Sequence, residues 1–447
     1  GQAAVSFHFD SNQHRKMLLT AQDRFEGYTT TEVKSTTVLA LFDESRTAVS
    51  ELSLSDNGFV VLDQTPFYLE AGGQVSDTGH LSITGDRESV AQVDRVERLA
   101  PGGPRVHHVK VMSGHLRLED MACARVDSGR RDAIRRNHTA THLLHAALRE
   151  RLGSHIKQAG SLVEPDRLRF DFAHEGPINL ITLDQIERDV NKHIYMNQSI
   201  DTEIRSTQEA IAAGAMALFG EKYGESVRVV SVAGVSMELC GGTHCRATGD
   251  IGVFCIIQET GVAAGVRRIE ALTGENAIAH LQTQRTSINA ILGALGAPGP
   301  RAIKTIKRLQ DEAKRLAREL EELKLKTALV DRGGQDEDIV DLGDARFIAR
   351  KVSKLEKGSL RELADSLRDR LGRGIVVLAS ENESKVALVV SVSKELIDRV
   401  NAGKVVKAIA PIIGGGGGGR AEFAEAGGRR PDKIDALLTK SLTVVGD

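Results

Sequence analysis

Two short stretches, each with two potential metal ligands, constrain the fold of this chain most strongly. The first is His138-Thr-Ala-Thr-His142, and the second is Cys240-Gly-Gly-Thr-His244. Three imidazole nitrogens and one thiolate make a complete donor set of the kind that Zn²⁺ prefers. A fold that uses all four must bring together two segments that lie far apart in the sequence.

The first pair lies in a run, residues 128–160, that predicts a helix in which Asp132 is a candidate cap. On a helix, His138 and His142 are neighbours about 5–6 Å apart at Cβ, so both can reach one ion. His145 shares that face, so spacing alone leaves open whether the ligands are 138 and 142 or 142 and 145. A single His-x-x-x-His pair is weak evidence for a metal, because such histidines are often structural.

The second pair is a better signal. Gly241 and Gly242 permit a tight turn that brings Cys240 and His244 to the same side. Cys245 competes as a ligand, but adjacent side chains in an extended strand point to opposite faces. The alternative is a buried structural cysteine at the end of a strand.

Composition and charge narrow the class of protein. The 447 residues contain four cysteines, too few and too unevenly placed for a disulfide framework, which fits a reducing, cytoplasmic location. The net charge of −2 means that any contact with nucleic acid needs local basic patches. There is no signal peptide and no run of about 18 apolar residues, so no membrane partner is expected. The start at Gly1, where the pattern already indicates the interior of a domain, predicts a piece of a longer protein.

Hydrophobic periodicity predicts a multidomain α+β protein. Its predicted parts are a β-rich, barrel-like subdomain at 1–127, an α+β zinc-containing core at 128–275, a helical hairpin or coiled coil at 276–331, and a glycine-rich α/β domain at 345–447. The polar residues 332–344 predict a linker.

The predicted helix at 301–330 has an apolar stripe with heptad spacing. The stripe consists of Ile306, Leu309, Ala313, Leu316, Leu320 and Leu323. An antiparallel hairpin with a helix near 276–293 is the simpler arrangement. A coiled coil that joins two chains, and hence a homodimer, remains the alternative.

Two glycine-rich stretches are candidate binding elements. Gly72 and Gly73 let the backbone approach a ligand closely, with Gln74 beside them, although a plain hairpin turn explains them equally well. The six glycines at 414–419, followed by Arg420, predict a loop whose N–H groups bind phosphate oxygens. A flexible linker is the alternative there.

Several segments, in this order, carry a resemblance to a known family. They are FYLEAGGQVSDTG, RRNHTATHLLHAAL, HIKQAGSLV, GAMALFGEKYGE, ELCGGTHC, GVRRIEALTG and GGGGGGRAEFAEAGG. Along essentially its whole length the chain resembles the C-terminal half of bacterial alanyl-tRNA synthetases. The two ligand pairs alone are also shared with freestanding alanyl-tRNA editing proteins and with threonyl-tRNA synthetase. The glycine-rich C-terminal motif narrows the choice to the alanyl enzymes and their longest editing relatives.

The resemblance implies an editing domain that hydrolyses tRNA(Ala) mischarged with serine or glycine. It implies one Zn²⁺ per chain, bound by His138, His142, Cys240 and His244, and thereby resolves the uncertainty about His145. The implied catalytic position is Gln158, to which we add Thr141 as a candidate for recognising the serine hydroxyl. The candidate contacts for substrate or tRNA are Gly72, Gly73, Gln74, Arg267, Arg268, Gly416, Gly417 and Arg420.

The C-terminal domain is implied to bind the tRNA elbow and to support dimerisation, while the 3' aminoacylated end enters the editing site. ATP and Mg²⁺ are expected only for an aminoacylation core of class II, for which we find no counterpart in these motifs. Four protein ligands fill a tetrahedral shell, so we favour a zinc ion that organises the pocket over one that activates water. The alternative functions are a freestanding editing protein, a non-catalytic tRNA-binding and dimerisation module, and last a phosphoesterase.

Overall fold

The computed structural model describes residues 7–9, 11, 12, 16, 18, 23–83, 89–217, 223–330, 339–353, 355–382 and 385–446. The chain divides into two compact units, residues 1–288 and 289–447. None of the described helices is long and apolar enough to cross a membrane. The predicted mixed α+β class is confirmed, and the positions of the four domain boundaries stay predictions.

The first part of unit 1 is built from strands. They are β1 (Arg24–Phe25), β2 (Glu32–Asp43), β3 (Ala48–Val49), β4 (Glu51–Ser53), β5 (Asn57–Leu62), β6 (Gln64–Thr65), β7 (Gly79–Ile83), β8 (Ser89–Arg98), β9 (Arg105–Ser113), β10 (His115–Arg117) and β11 (Met121–Val126). Strands β11, β7, β8, β9, β5 and β2 pair in that order, and β2 pairs back to β11, which closes a barrel. Ala122, Ala124 and Val126 of β11 alternate inward, as a barrel strand requires. The predicted barrel-like subdomain is therefore confirmed.

The second part of unit 1 surrounds one long helix. Its elements are α1 (Ser128–Leu152), β12 (Gln158–Val163), β13 (Leu168–Ala173), α2 (Leu180–Tyr195), β14 (Ile200–Ser206), α3 (Thr207–Ala212), β15 (Ser226–Val232), β16 (Ser236–Leu239), β17 (Phe254–Ala263) and β18 (Val266–Thr273). They form two antiparallel sheets, β12-β13-β18-β17 and β14-β15-β16. Apolar residues of α1 and α2 share a buried core with β13 and β18, so the face of α1 that carries the histidines lies inside the protein.

The ends of α1 differ from the sequence prediction in two respects. The cap is Asp127, whose carboxylate accepts a hydrogen bond from the Arg130 N–H, and Asp132 lies within the helix. The helix also ends at Leu152 and not at 160, because Gly153 adopts φ 116° and the chain turns into β12. Residues 158–163 are strand.

A buried ion pair fixes the barrel against α1. Arg131 and Asp77 are both fully buried, and the guanidinium Nε lies 2.9 Å from the carboxylate Oδ1. The same guanidinium donates to the carbonyls of Gly27 and Pro66. Because removing one partner of such a pair typically costs about 3–5 kcal/mol, the loop before Asp77 is held firmly beside α1.

Two long helices follow, α4 (Gly274–Leu295) and α5 (Gly299–Val330). The predicted apolar stripe lies on α5 and is exposed, from 38% at Ile306 to 60% at Leu323. The two helices are as predicted, and their association as a hairpin or as a coiled coil stays a prediction.

The C-terminal part of unit 2 is a six-stranded sheet with helices. Its elements are β19 (Ile339–Asp341), β20 (Arg346–Ser353), α6 (Lys357–Leu371), β21 (Gly374–Asn382), β22 (Lys385–Val392), α7 (Ala402–Ile409), β23 (Gly416–Gly419), β24 (Phe423–Gly428) and α8 (Ile434–Gly446). The sheet order is β19-β20-β21-β22-β24-β23. Strands β20 and β21 are parallel with α6 between them, so the predicted α/β order is correct in outline.

Two predictions for this region were wrong in detail. The glycines at 414–419 do not form a loop: Gly416–Gly419 is an edge strand paired with β24. The segment before this strand consists of a 3-10 turn at Lys394–Leu396, α7, and a second 3-10 turn at Ala410–Ile413. In the predicted linker 332–344, residues 332–338 lie outside the described residues, whereas 339–341 pair with β20.

Candidate metal centre

Four side chains from two segments converge in unit 1. One ligand atom from each of His138, His142, Cys240 and His244 lies within 4.8 Å of the others. The Cys240 Sγ is 3.4 Å from Nε2 of His138 and 3.3 Å from Nε2 of His244. Bonds of about 2.0–2.3 Å at tetrahedral angles would separate such donors by about 3.3–3.8 Å. The donor types therefore fit a zinc ion, and the two separations measured from the Cys240 sulfur fall within this range.

The turn that carries Cys240 is held by side chains from other segments. The Arg228 guanidinium donates to the carbonyls of Cys240 at 3.0 Å and Gly242 at 2.8 Å. The Tyr28 hydroxyl donates to the carbonyl of Gly241 at 2.8 Å. Three successive carbonyls are thus satisfied, and the Arg228 guanidinium also lies 4.2 Å from the centre of the Tyr28 ring. The turn is consequently preorganised.

Two of the imidazoles have a hydrogen-bond partner on the side facing away from the cluster. The His138 Nδ1 lies 2.8 Å from Oε1 of Gln74. The His244 Nδ1 lies 3.2 Å from Oγ1 of Thr139. A proton on each Nδ1 leaves a lone pair on each Nε2 directed at the cluster, which is the form that binds a metal.

Glu238, which the sequence analysis missed, lies next to the third imidazole. It is 4% exposed, and its Oε1 is 3.4 Å from Nδ1 of His145 and 3.9 Å from Nδ1 of His142. The Ser236 hydroxyl donates to the same oxygen at 3.0 Å. His145 therefore lies outside the four-residue cluster and faces the carboxylate. In the sequence, the feature that could have indicated Glu238 is its position two residues before Cys240.

The pKa shifts of Cys240 and His244 favour binding of a cation. Burial raises the pKa of the Cys240 thiol, but the imidazoles of His138, His244 and His142 outweigh it and bring the pKa well below its ordinary value. Burial and the neighbouring His138 lower the pKa of His244 to about 3. Burial also lowers the pKa of His142, yet Glu238 and Cys240 raise it to about 9. A bound metal would displace the His142 proton.

A cavity of about 160 Å³ opens beside the cluster. His138, His142 and Cys240 form part of its wall, together with the predicted Thr141, Gln158 and Gly72 and with Tyr68, Ser161 and Glu238. The Gln158 amide donates to the Ser161 hydroxyl at 3.1 Å. The Thr141 hydroxyl donates to the Asn137 carbonyl at 2.8 Å, so its lone pairs remain available. The cavity is small, and its wall carries polar side chains beside apolar surface.

The other residues singled out in the sequence occupy different places. Gly73 packs against Ser161, and Gln74 is completely buried. On β18, Arg267 is bound to Glu259 and Arg268 to Asp171, the latter at 2.6 and 2.8 Å.

Gly416, Gly417 and Arg420 belong to unit 2, on β23 and just after it. Cys245, the competing ligand, is buried among apolar side chains, and its burial raises the pKa of its thiol to about 12.

A second, larger cavity of about 660 Å³ lies on another side of His244. Its wall includes the cationic side chains Arg135, Arg136 and Arg246. Arg135 pairs with Asp132 at 3.0 Å, and Asp250 accepts hydrogen bonds from the N–H groups of 246 and 247. The cavity is thus polar and slightly cationic.

Three stretches of the chain match models of known protein families. Residues 2–130 match the family of class II (A) tRNA synthetases, residues 227–270 match the second additional domain of threonyl and alanyl tRNA synthetases, and residues 344–446 match the DHHA1 domain. The first match was not expected, because the sequence analysis found no counterpart of the class II core. The described residues of that range form mainly the barrel.

Two alanine–tRNA ligases are similar to nearly the whole of this chain. The alanine–tRNA ligase of Halorhodospira halophila is 45% identical over 417 residues, which are 93% of this chain and 47% of that protein. The alanine–tRNA ligase of Idiomarina loihiensis is 41% identical over 442 residues, 99% of this chain and 50% of that protein. The solved C-Ala domain of Aquifex aeolicus alanyl-tRNA synthetase is 35% identical, with a TM-score of 0.24, over 24% of this chain and 98% of that one.

These matches define a chain of the aminoacyl-tRNA synthetase class. Within that class it belongs to the alanyl-tRNA synthetase family, as the sequence motifs indicated. The chain spans about half the length of the curated relatives it matches.

Proposed function

We propose that this chain is the editing and tRNA-binding part of an alanine–tRNA ligase. It hydrolyses the ester that joins a wrong amino acid to the 3' end of tRNA(Ala). Water adds to the ester carbonyl, the bond to the ribose oxygen breaks, and that oxygen takes a proton. The intact enzyme would attach alanine with ATP and Mg²⁺, and editing would correct its errors with serine and glycine.

The small polar cavity beside the four-donor cluster is the observation that carries the proposal. A volume of about 160 Å³ accommodates an aminoacyl group of serine size but not a whole nucleotide. The terminal adenosine would therefore remain outside, with only the ester inside. This division suits an enzyme that inspects the amino acid and leaves the RNA to other surfaces.

Thr141 and Gln158 would recognise the hydroxyl of serine. Both line the cavity, and the lone pairs of Thr141 are free to accept a hydrogen bond. A polar site that hydrogen-bonds a substrate hydroxyl rejects an analogue without it strongly, because its buried groups are then left unpaired. Alanine has no such hydroxyl, so correctly charged tRNA would be spared. Glycine also lacks the hydroxyl, so it would have to be admitted because it is smaller than alanine.

Zn²⁺ would be held by His138, His142, Cys240 and His244. Bound there, it supplies a fixed positive charge that organises the pocket and polarises nearby oxygens. The protein ligands already number four, which supports an organising role. Glu238 is the carboxylate of the cavity wall. Burial raises its pKa, but His142 and His145 outweigh this and lower it, so we assign it to accept a proton near the ester.

The tRNA would use two further surfaces. The cavity with Arg135, Arg136 and Arg246 has the volume and charge for the phosphates of the 3' strand. In unit 2, the exposed glycine strand and Arg420 would contact the elbow. The exposed stripe of α5 would support a homodimer.

Hydrolysis of Ser-tRNA(Ala) and Ala-tRNA(Ala) by this chain tests the proposal. We expect loss of serine and not of alanine from the tRNA, and a reduced rate after chelation and gel filtration. Gln158→Ala should slow hydrolysis, whereas the matched control Gln92→Ala, an exposed residue of the barrel, should not. Equal, slow loss of both amino acids would reject the editing function.

The closed set of four ligands favours one alternative, a non-catalytic tRNA-binding and dimerisation module with structural zinc. In that case zinc would be bound and tRNA retained on the protein, but Ser-tRNA(Ala) would be stable. A filter-binding assay run beside the hydrolysis assay separates the two functions.

A further inference from the structure

Gln74 lies at the point where three segments of unit 1 meet. Its side chain is completely buried, between α1 and the turn that follows β16. It comes from the glycine loop of the barrel subdomain, at the end of a tight turn in which Gly72 and Gly73 adopt φ 58° and 81°. The sequence suggested that this loop approaches a ligand, but the structure buries its glutamine against the metal centre.

The hydrogen bonds of Gln74 determine how its amide is oriented. The backbone N–H of Thr243 can only donate, so the Gln74 atom 2.9 Å from it is the carbonyl oxygen Oε1. The amide nitrogen then donates to the Thr243 hydroxyl at 3.0 Å. An amide placed the other way round would set two donors against each other.

This orientation determines the tautomer of His138. The Nδ1 of His138 lies 2.8 Å from the same Oε1, which can only accept, so Nδ1 carries the proton. The Nε2 atom is left with its lone pair, and it is Nε2 that faces Cys240. The binding form of one ligand is therefore set by a residue outside the donor set.

Gln74 also connects the two ligand pairs. His138 belongs to the pair on α1, and Thr243 lies between Cys240 and His244. Partners of the other imidazoles, Thr139 and Glu238, lie within the two ligand segments or next to them. Gln74 comes from a third segment, whose backbone is fixed by hydrogen bonds between Val163 and the loop residues Gly73 and Val75.

We propose that Gln74 is a positioning residue of the metal centre, which holds His138 in its metal-binding tautomer and keeps the two ligand pairs in register. The inference rests on the proposed zinc site. It makes the glycine loop of the barrel subdomain part of the metal site, so that metal binding reports on how the barrel and α1 are packed.

The test is the zinc affinity of Gln74→Leu and Gln74→Glu, with Gln92→Leu as the matched control on the barrel surface. Chelator competition gives the affinity, and the visible spectrum of the Co²⁺ form reports the ligand geometry. Loss of an outer hydrogen-bond partner of a metal-binding histidine typically costs about 10–100-fold in affinity. We expect that loss, with an altered Co²⁺ spectrum, for Gln74→Leu and no change for Gln92→Leu.

Gln74→Glu should restore the affinity to within about threefold, because a carboxylate accepts from His138 and Thr243 equally well and the Thr243 hydroxyl can turn to donate. A variant that merely disturbed packing would not be rescued in this way. Zinc affinity and Co²⁺ spectrum of Gln74→Leu equal to wild type would overturn the inference.

Thr243→Val tests the same network if Gln74→Leu does not fold. It removes the hydroxyl that fixes the amide and keeps the backbone N–H, so we expect a smaller loss of about threefold to tenfold. An unchanged affinity contradicts the inference. A wild-type chain that binds no zinc would instead remove the proposed metal site itself, so the two failures are distinguishable.

Discussion

The two units of this chain use different chemistry. All 14 histidines and all four cysteines lie in residues 1–288, and residues 289–447 contain neither. Nitrogen and sulfur ligands of the kind that zinc prefers, and side chains that ordinarily titrate near neutral pH, are therefore confined to unit 1. Unit 2 has to act through its backbone, its lysines and its arginines. The proposed reaction centre and the proposed RNA-binding surface of unit 2 are thus separated in the sequence itself.

Glycine shows the same contrast. Gly242 has no side chain because a Cβ there would overlap the His138 ring. In β23, a Cβ on Gly417 would overlap the backbone of β24, whereas Gly416 and Gly418 face open space. Gly242 lets side chains converge on the metal centre, whereas the glycines of β23 let two strands come close and leave a bare, exposed edge.

The largest expected effect is that of Gly242→Ala. The added methyl group would displace His138, so we expect zinc affinity to fall by at least about 100-fold, with a clear loss of stability in unit 1. Gly241→Ala is the matched control, because its Cβ would meet only the Tyr28 hydroxyl at 3.9 Å. Chelator competition measures the zinc affinity of both variants. Equal affinities would mean that zinc binding does not need the close approach of His138 to residue 242.

Acid should destabilise unit 1 through His107. Burial lowers the pKa of His107 to about 4, while its neutral ring hydrogen-bonds to the Val60 carbonyl and the Thr65 hydroxyl. The unfolded chain binds the proton more readily, so this stability is complete above pH 6.5 and is lost as the pH falls toward 4. The loss amounts to about 3 kcal/mol.

His107→Gln replaces the imidazole with an amide that has a donor and an acceptor but does not titrate, so it should flatten that dependence. Hydrogen exchange of β9 peptides, corrected for intrinsic rates, measures the difference, with β22 peptides of unit 2 as the internal reference. If wild type and variant lose the same stability between pH 6.5 and 4, His107 is not the group responsible.

Successive glycines of β23 face alternately toward β24 and toward open space. Alanine substitutions at neighbouring positions should therefore differ in their effect on stability. Gly417→Ala should destabilise unit 2 by about 1–3 kcal/mol, the usual cost of overpacking, and leave zinc affinity unchanged. Gly418→Ala should leave stability nearly unchanged, because its Cβ points into open space. Urea unfolding of the two variants provides the measurement. Similar losses for both would show that β23 is not paired as described.

Much of this architecture could be predicted from local patterns. The i, i+4 histidines, the Cys-Gly-Gly-Thr-His turn and the alternating strands are short-range signals, and they indicate the two ligand segments and the barrel. The choice of His138 over His145 came from the family resemblance and not from spacing. Gln74 and Glu238 could not be assigned, because their roles arise from contacts with distant segments. The glycine strand was mistaken for a loop, since glycine disfavours strands and only the close approach of β24 explains it.

The smallest expected effect concerns RNA binding by unit 1. If the cavity with Arg136 holds phosphate, Arg136→Ala should weaken binding of tRNA severalfold and equally for different sequences, and lower the slope of log affinity against log salt by about 1. Arg24→Ala removes an exposed arginine that pairs with Asp63 outside this cavity, and serves as control. The slope separates a phosphate contact from a general loss of structure. An unchanged salt dependence in Arg136→Ala would mean that this arginine contacts no phosphate. RNA binding would then be assigned to unit 2 more exclusively than proposed.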